Sequence, residues 1–340
     1  MFKENTEFDL IGMGEIMMRL SPPGKETIAK CVTFDKNVGG SEFNVVSGAA
    51  MLGANAAVIT KLPSNKLGEY IKNQIRLGRV SDRYVISDAS KGARLGVYYY
   101  ENGAAPRKSA VIYDRANSSA CSLRAEELPD DIYGKTKIFH ISSITLAIDK
   151  TLRENAFEII RRFKACGALV SFDVNYRAAL WSEAEAKEVV ERIFPMVDLL
   201  FVSEETSRRM LGRTGTLEEI MRGYAADYGC RLVATTRREA ISPNCHNFGS
   251  KLLFDGSFYE EEPYRGIEVI DRVGSGDAYL SGVLYGLISK GDPKYALELG
   301  NASAAMKNTV PGDLSGCTLS DLEGTIASHK KVGAQDEMIR

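Results

Sequence analysis

Histidine is scarce in this chain, with three in 340 residues, at positions 140, 246 and 329. They lie far from metal-ligand spacing, and the six cysteines (31, 121, 166, 230, 245, 317) form no CxxC pair. A zinc site and a redox dithiol are therefore not indicated, and the thiols suit a reducing cytoplasm. Basic blocks are missing too. With a formal net charge of -2 and dispersed Lys and Arg, the composition gives no case for nucleic-acid or membrane-surface binding. The most apolar long window, VVSGAAMLGANAAVIT (45–60), is rich in small residues and too short to span a bilayer. The opening MFKENTEFDL lacks the apolar stretch of a secretion signal, so a cytoplasmic protein is expected. No GxxxxGKS/T occurs, which argues against a P-loop enzyme. GMGEIM at Gly12 lacks the third glycine of a dinucleotide fingerprint, and Pro22 and Pro23 soon follow where a helix would be needed. Neither an internal repeat nor a low-complexity linker divides the chain.

What is present is ordinary globular composition, 44% hydrophobic and 26% charged. Short β-branched runs alternate with helix-period stretches. FDLIGMG, AAVIT, KIFHIS, LVSFDV, DLLFVS and RLVATT have the character of buried strands. TLRENAFEIIRRFKACG places Leu152, Ala156, Ile159, Ile160 and Phe163 on one helical face, with Gly167 as its stop. Such alternation predicts an α/β fold: a mostly parallel sheet with helices on both faces, in a single domain over residues 1–330. Two stretches break the rhythm, at about 16–38 and 93–116. Both are β-rich without intervening helices, and LGVYYYE and SAVIYD flank a turn holding Asn102, Gly103 and Pro106. They are expected to pair as a small sheet projecting from the core as a lid. The last residues, 331–340, read as a polar tail.

Three stretches could carry chemistry. In DRVGSGDAYLSG (271–282), Gly274, Ser275 and Gly276 precede a helical pattern, so unpaired N–H groups at a helix start could hold a phosphate. Asp277 beside a bound anion makes chemical sense as a base that takes a proton from an attacking hydroxyl; its structural alternative is an N-cap after a glycine turn. In VGGSEFNVVSG, Gly39 and Gly40 allow close backbone approach and Asn44 offers both donor and acceptor, unless this is only a strand-to-helix corner. In SFDVNYRAALW, Asp173, Asn175 and Arg177 cluster at the carboxyl end of a strand. Arg177 there suits an anionic ligand, or is merely solvated.

GGSEFN and DRVGSGDAYLSG together resemble the two signatures of the ribokinase-like carbohydrate kinases, the phosphofructokinase-B family. GEIMMRLSPPG, KLPSNKLGEYI, VIYDRANSS, DVNYRAALWS and VPGDLSG are most similar to its 2-keto-3-deoxygluconate kinases. The resemblance covers nearly the whole chain. It implies a doubly wound α/β core with a β-sheet lid, ATP and Mg²⁺ as cofactors, and a homodimer joined through the lid. By position, Asp277 matches the catalytic base and Gly274, Ser275 and Gly276 the anion hole, with serine in place of the more usual alanine. Gly39, Gly40 and Asn44 match residues that hold sugar hydroxyls, Tyr98, Tyr113 and Arg115 match lid contacts, and Arg177 matches the arginine facing an acid group. Ser203, Thr236, Arg237 and Asn301 match nucleotide-side positions. The chain departs from the family in three places. SEET (203–206) stands where an Asn-x-x-Glu motif is associated with magnesium, leaving Glu204 or Glu205 to act through water and the metal site undefined. RREAISPNC replaces a glycine-containing nucleotide loop. Arg19 stands near a usual hydroxyl-binding Asp, which would fit an acidic substrate. The implied activity is ATP-dependent phosphorylation of the terminal hydroxyl of a keto sugar acid, 2-keto-3-deoxygluconate first, giving its 6-phosphate. Its rivals are a fructose or ribose kinase of the same family, an NAD-dependent oxidoreductase and a non-catalytic sugar-binding protein.

Overall fold

A computed structural model describes residues 2–104, 106–242 and 244–331. All of the expected tail but Lys331 therefore lies outside the described residues. The strands are β1 (Phe8–Met13), β2 (Met17–Ser21), β3 (Asp35–Gly39), β4 (Ala56–Pro63), β5 (Val80–Asp88), β6 (Val97–Glu101) and β7 (Ala110–Asp114). They continue as β8 (Thr136–Ser142), β9 (Leu169–Asp173), β10 (Leu199–Phe201), β11 (Leu232–Ser242), β12 (Cys245–Phe254), β13 (Ser257–Glu260) and β14 (Tyr264–Glu268). Ten of them form one sheet in the order β13-β12-β11-β10-β9-β8-β1-β4-β5, with β14 also on β12.

From β5 across to β11 every pairing is parallel. These strands read as continuous apolar runs because both faces are covered. Leu10, Ile138, Leu199 and Leu232 enter one core, while their neighbours Ile11, Phe139, Leu200 and Val233 enter the other. Helices Lys150–Ala165, Glu183–Ile193 and Leu217–Tyr228 cover the second face. Helices Ser41–Leu52, Lys66–Leu77, Ser275–Lys290, Pro293–Asn308 and Leu319–Lys330 cover the first. The expected 151–167 helix is present. Asp149 caps its start and Gly167, at φ 86°, follows its end.

Beyond β11 the sheet turns antiparallel through β12, β13 and β14, an extension the strand–helix rhythm does not announce. The two stretches outside the rhythm form a separate four-stranded sheet, β3-β2-β6-β7. β2 pairs antiparallel with β3 and parallel with β6, and β6 and β7 make the expected hairpin. This small sheet is the lid. Among the described residues no helix is long and apolar enough to cross a membrane.

Candidate active site

Asp277 sits in the first turn of the Ser275–Lys290 helix and is 8% exposed. Its N-cap, Gly274, has φ 81° and ψ 0°, a left-handed conformation. A β-carbon there would also collide with the main-chain oxygen of Asp313. Both conditions demand glycine. The first helical bond runs from the Ala278 N–H to the Gly274 carbonyl at 2.8 Å. The Gly276 and Asp277 N–H groups precede it and stay free among the described residues. The Ser275 N–H instead turns back to the Arg272 carbonyl at 3.3 Å. Of the four N–H groups expected to form the anion hole, only that of Ser275 is engaged, and those of Gly274, Gly276 and Asp277 stay free among the described residues at this helix N-terminus.

Both Asp277 carboxylate oxygens accept hydrogen bonds from the Ser41–Leu52 helix: Oδ1 from Ser41 Oγ at 2.9 Å and Oδ2 from Asn44 Nδ2 at 2.7 Å. Asn175 Nδ2 in turn donates to Ser41 Oγ at 3.1 Å. Burial raises the proton affinity of Asp277, while these bonds and the positive charge of Arg177 act against it. Asp173, at the end of β9, is pushed from 3.8 up to about 7, first by burial and then by the charge of Asp277. Asn44 has a further feature. Its Oδ1 is buried without a partner among the described residues, an acceptor left open beside the carboxylate.

Asp277, Gly274, Gly40, Asn44, Tyr98, Tyr113, Arg115 and Arg177 all line one cavity of about 340 Å³. Sequence positions from 40 to 277 are therefore brought together as the glycine-rich signatures imply. Gly40 approaches so closely that a β-carbon would strike the Glu15 carbonyl, and Gly39 ends β3 beside it. The lid supplies Tyr98 and Tyr113, whose rings lie 5.7 Å apart. Tyr98 Oη donates to Asp313 at 2.7 Å.

The arginines differ. Arg115 is held by Glu15, with Nε 2.7 Å from Oε2. Arg177 is exposed, and its side chain makes no hydrogen bond or ion pair among the described residues, so its guanidinium is free for a ligand. Arg19 corrects an expectation. It is 2% exposed and bonds Asp313 at 2.8 Å, Asp271 at 2.5 Å and Ser21 at 2.9 Å, with its plane over the Tyr100 ring. With each of its three nitrogens bonded, one face covered and the side chain outside the lining of the cavity, it is committed to the protein's own carboxylates. Asp313, in VPGDLSG, and Ser41 were passed over as site residues, although both stand in signature stretches. What sequence spacing hides is that Asp313 meets a residue 294 positions away.

The residues expected on the nucleotide side lie around a second cavity of about 440 Å³ beside β11 and β12. Arg237 lines it. Thr235 lines it as well, whereas Thr236, one position on, points to the opposite face of the strand. Thr235 Oγ1 is buried without a partner. Asn301 is fully buried behind the wall, bonded to Ser250 at 2.7 Å and Glu261 at 2.7 Å. Ser203 caps the next helix through Thr206, and its neighbour Glu204 reaches the cavity. Residues 237–242 of the substituted stretch are strand, forming the end of β11. No group of three or more His, Cys, Asp or Glu side chains among the described residues could cage a metal ion.

The model of the pfkB family carbohydrate kinases matches residues 8–319. The chain belongs to that family. It is 36% identical over 315 residues to 2-dehydro-3-deoxygalactonokinase of Haloferax volcanii, covering 93% of this chain and 95% of that one. It is 29% identical to 5-dehydro-2-deoxygluconokinase of Clostridium perfringens, over 90% of this chain and 88% of the other. The crystal structure of 2-dehydro-3-deoxygluconokinase from Thermotoga maritima superposes with a TM-score of 0.90 at 30% identity, covering 96% of this chain and all of that one. This carbohydrate kinase therefore has the ribokinase-like fold, and neither the NAD-dependent oxidoreductase nor the non-catalytic protein stands.

Proposed function

We propose that this kinase transfers the γ-phosphoryl of ATP to the terminal hydroxyl of a 2-keto-3-deoxy sugar acid, with 2-keto-3-deoxygluconate the first candidate and its 6-phosphate the product. One observation carries the choice of an acid: Arg177, a guanidinium without a partner among the described residues, on the wall of the cavity that also holds Asp277. A neutral sugar would leave that cation uncompensated once the lid closes, whereas a carboxylate can take two of its N–H donors side by side. Two of the relatives are named for 2-dehydro-3-deoxy sugar acids and the third for a 5-dehydro-2-deoxy acid, all of them deoxy keto sugar acids.

The residues divide the work as follows. Arg177, with Arg115 held by Glu15, receives the acid end of the substrate and aims its far hydroxyl inward. The open Oδ1 of Asn44 accepts from a sugar hydroxyl. Asp277 takes the proton of the attacking hydroxyl as its oxygen bonds to the γ-phosphorus. The bond to the bridging oxygen breaks and ADP leaves. The Gly276 and Asp277 N–H groups hold the charge on the transferred oxygens. Tyr98 and Tyr113 on the lid close over the sugar and exclude water that would otherwise accept the phosphoryl. ATP is assigned to the cavity beside β11, with Thr235 and Arg237 towards its phosphates. Mg²⁺ fits this chain as an ion that arrives on those phosphates, with Glu204 or Glu205 reaching it through water; it would neutralise phosphate charge. The lid also favours a homodimer. Ile112 stands 55% exposed on β7, the lid's outer strand, where a second copy could cover it.

A substrate panel tests the reading: the gluco and galacto forms of the 2-keto-3-deoxy acid, 2-ketogluconate, fructose and ribose, with ADP release as readout. Arg177→Ala should cost the acids at least about tenfold in kcat/KM and leave fructose or ribose turnover within about twofold. Equal losses, or a preference for fructose or ribose, would remove the acid assignment.

A further inference from the structure

Lys307, on the Pro293–Asn308 helix, is wholly buried at 0% exposure, yet no carboxylate forms an ion pair with it among the described residues. Its ammonium donates instead to two main-chain carbonyls, Asp271 at 3.0 Å and Val310 at 3.2 Å. An apolar side chain of similar size would fill the same space without removing a charge from water. The position of those carbonyls gives the ammonium a purpose. Asp271 begins the segment that runs into Gly274, and Val310 begins the segment that carries Asp313 under Gly274. The two segments are also tied directly, by Gly312 N–H to Asp271 Oδ2 at 3.1 Å. Burial holds the proton affinity of the amine below its ordinary value and the charge of Arg19 adds to this, while Asp271, Asp313 and Asp277 act against it.

We propose that Lys307 is a tethered monovalent cation, clamping segments 271–274 and 310–313 so that the Gly276 and Asp277 N–H groups face the transferred phosphoryl, and that this kinase consequently needs no free potassium or ammonium. Lys307 is a positioning residue. Its three N–H donors on a single positive centre come within one of the four an ammonium ion offers, and potassium bound by carbonyl oxygens offers the same charge in similar space. The proposal rests on phosphoryl transfer at this cleft and not on which sugar accepts it.

The test compares the wild-type protein and Lys307→Ala in tetramethylammonium chloride, potassium chloride and ammonium chloride at equal ionic strength, with magnesium throughout. Phosphorylated product is measured directly by phosphorus NMR, since coupling enzymes have cation needs of their own. Thermal melts without any sugar form a second arm that stands even if the substrate assignment fails. Wild-type turnover and Tm should be the same in all three salts. The variant should lose about 10²-fold in kcat with little change in sugar KM, as for a lost oxyanion contact. It should recover at least tenfold, with a higher Tm, in ammonium or potassium but not in tetramethylammonium. Activation of the wild-type enzyme more than threefold by potassium or ammonium would overturn the proposal. So would a folded variant with undiminished kcat, or one whose loss and Tm ignore both ions. Should Lys307→Ala fold only with ammonium or potassium present, that supports the clamp; failure to fold with either counts against it.

Discussion

Asp277 has both carboxylate oxygens on donors from a single helix, Ser41 and Asn44, and this grip fixes what a conservative substitution does. In Asp277→Asn the new oxygen can still accept from Asn44, and the new amide can donate to Ser41 Oγ, whose hydroxyl proton then turns elsewhere. The cavity keeps its shape, but the side chain can no longer accept a proton. The expected outcome is a fall of at least about 10²-fold in kcat with sugar affinity held within about threefold, measured by steady-state kinetics beside calorimetric titration. Near-normal turnover would show that the hydroxyl loses its proton to another group. Arg19 and Arg177 make the complementary point at the same scale. Both are arginines beside the substrate region, and their partners and burial distinguish them: Arg19 is buried on two carboxylates, whereas Arg177 is exposed with none among the described residues. A residue type in a motif indicates chemistry, but the neighbours decide whether that chemistry is still available.

At the scale of elements, the helix start at Gly274 is set by backbone geometry. Gly274→Ala must hold a β-carbon at φ 81°, which costs about 1–2 kcal/mol by itself, and must also push the Asp313 carbonyl away. Melting and kinetics together should show a lowered Tm and a kcat down by tenfold or more, since the free N–H groups of this helix start move with the turn. Unchanged values for both would mean the turn is not under this constraint. This glycine was legible in the sequence because a left-handed turn before a helical pattern admits few other residues. The lid hairpin was legible through its alternation and its Asn102–Gly103 turn. The β12–β13 hairpin carried an equivalent signal in Asp255 and Gly256, both at positive φ (43° and 86°), but it sat outside the strand–helix rhythm and was missed. β5 was hidden for a different reason. Its sequence VSDRYVISD buries only every fourth residue, so no apolar run marks it. Thr235 and not Thr236 lines the cavity because a shift of one residue along a strand exchanges its faces. The Arg19–Asp313 pairing had no local signal at all, since it joins lid to core across 294 positions.

For the whole molecule, the cluster beside Asp277 should leave a mark on stability against pH. Asp173 is raised from 3.8 to about 7 by burial and by Asp277, with the Asn175 N–H and Arg177 acting against these and Glu42 with them. A raised carboxyl makes the folded state bind a proton that the unfolded chain has already released. Its stabilising contribution is complete below about pH 4 and is lost as pH rises through about 7, after which both states are ionised and the profile flattens. Carboxylates held low act in the other sense: Asp131 by its bond from Lys135 and Glu158 by its bond from Arg162 contribute above their ordinary range and lose that contribution as acid protonates them. Those groups are common to the wild-type protein and Asp173→Asn, so the difference between the two profiles isolates Asp173. Thermal melts from pH 4 to 8 should show the wild-type protein losing ground steadily to the variant across that interval, with the gap constant above about pH 7.5. Parallel profiles would mean that Asp173 is ionised in the fold as readily as in the unfolded chain. A gap that closes as pH rises would mean its carboxylate is stabilised in place, and that Arg177 outweighs Asp277 at the end of β9.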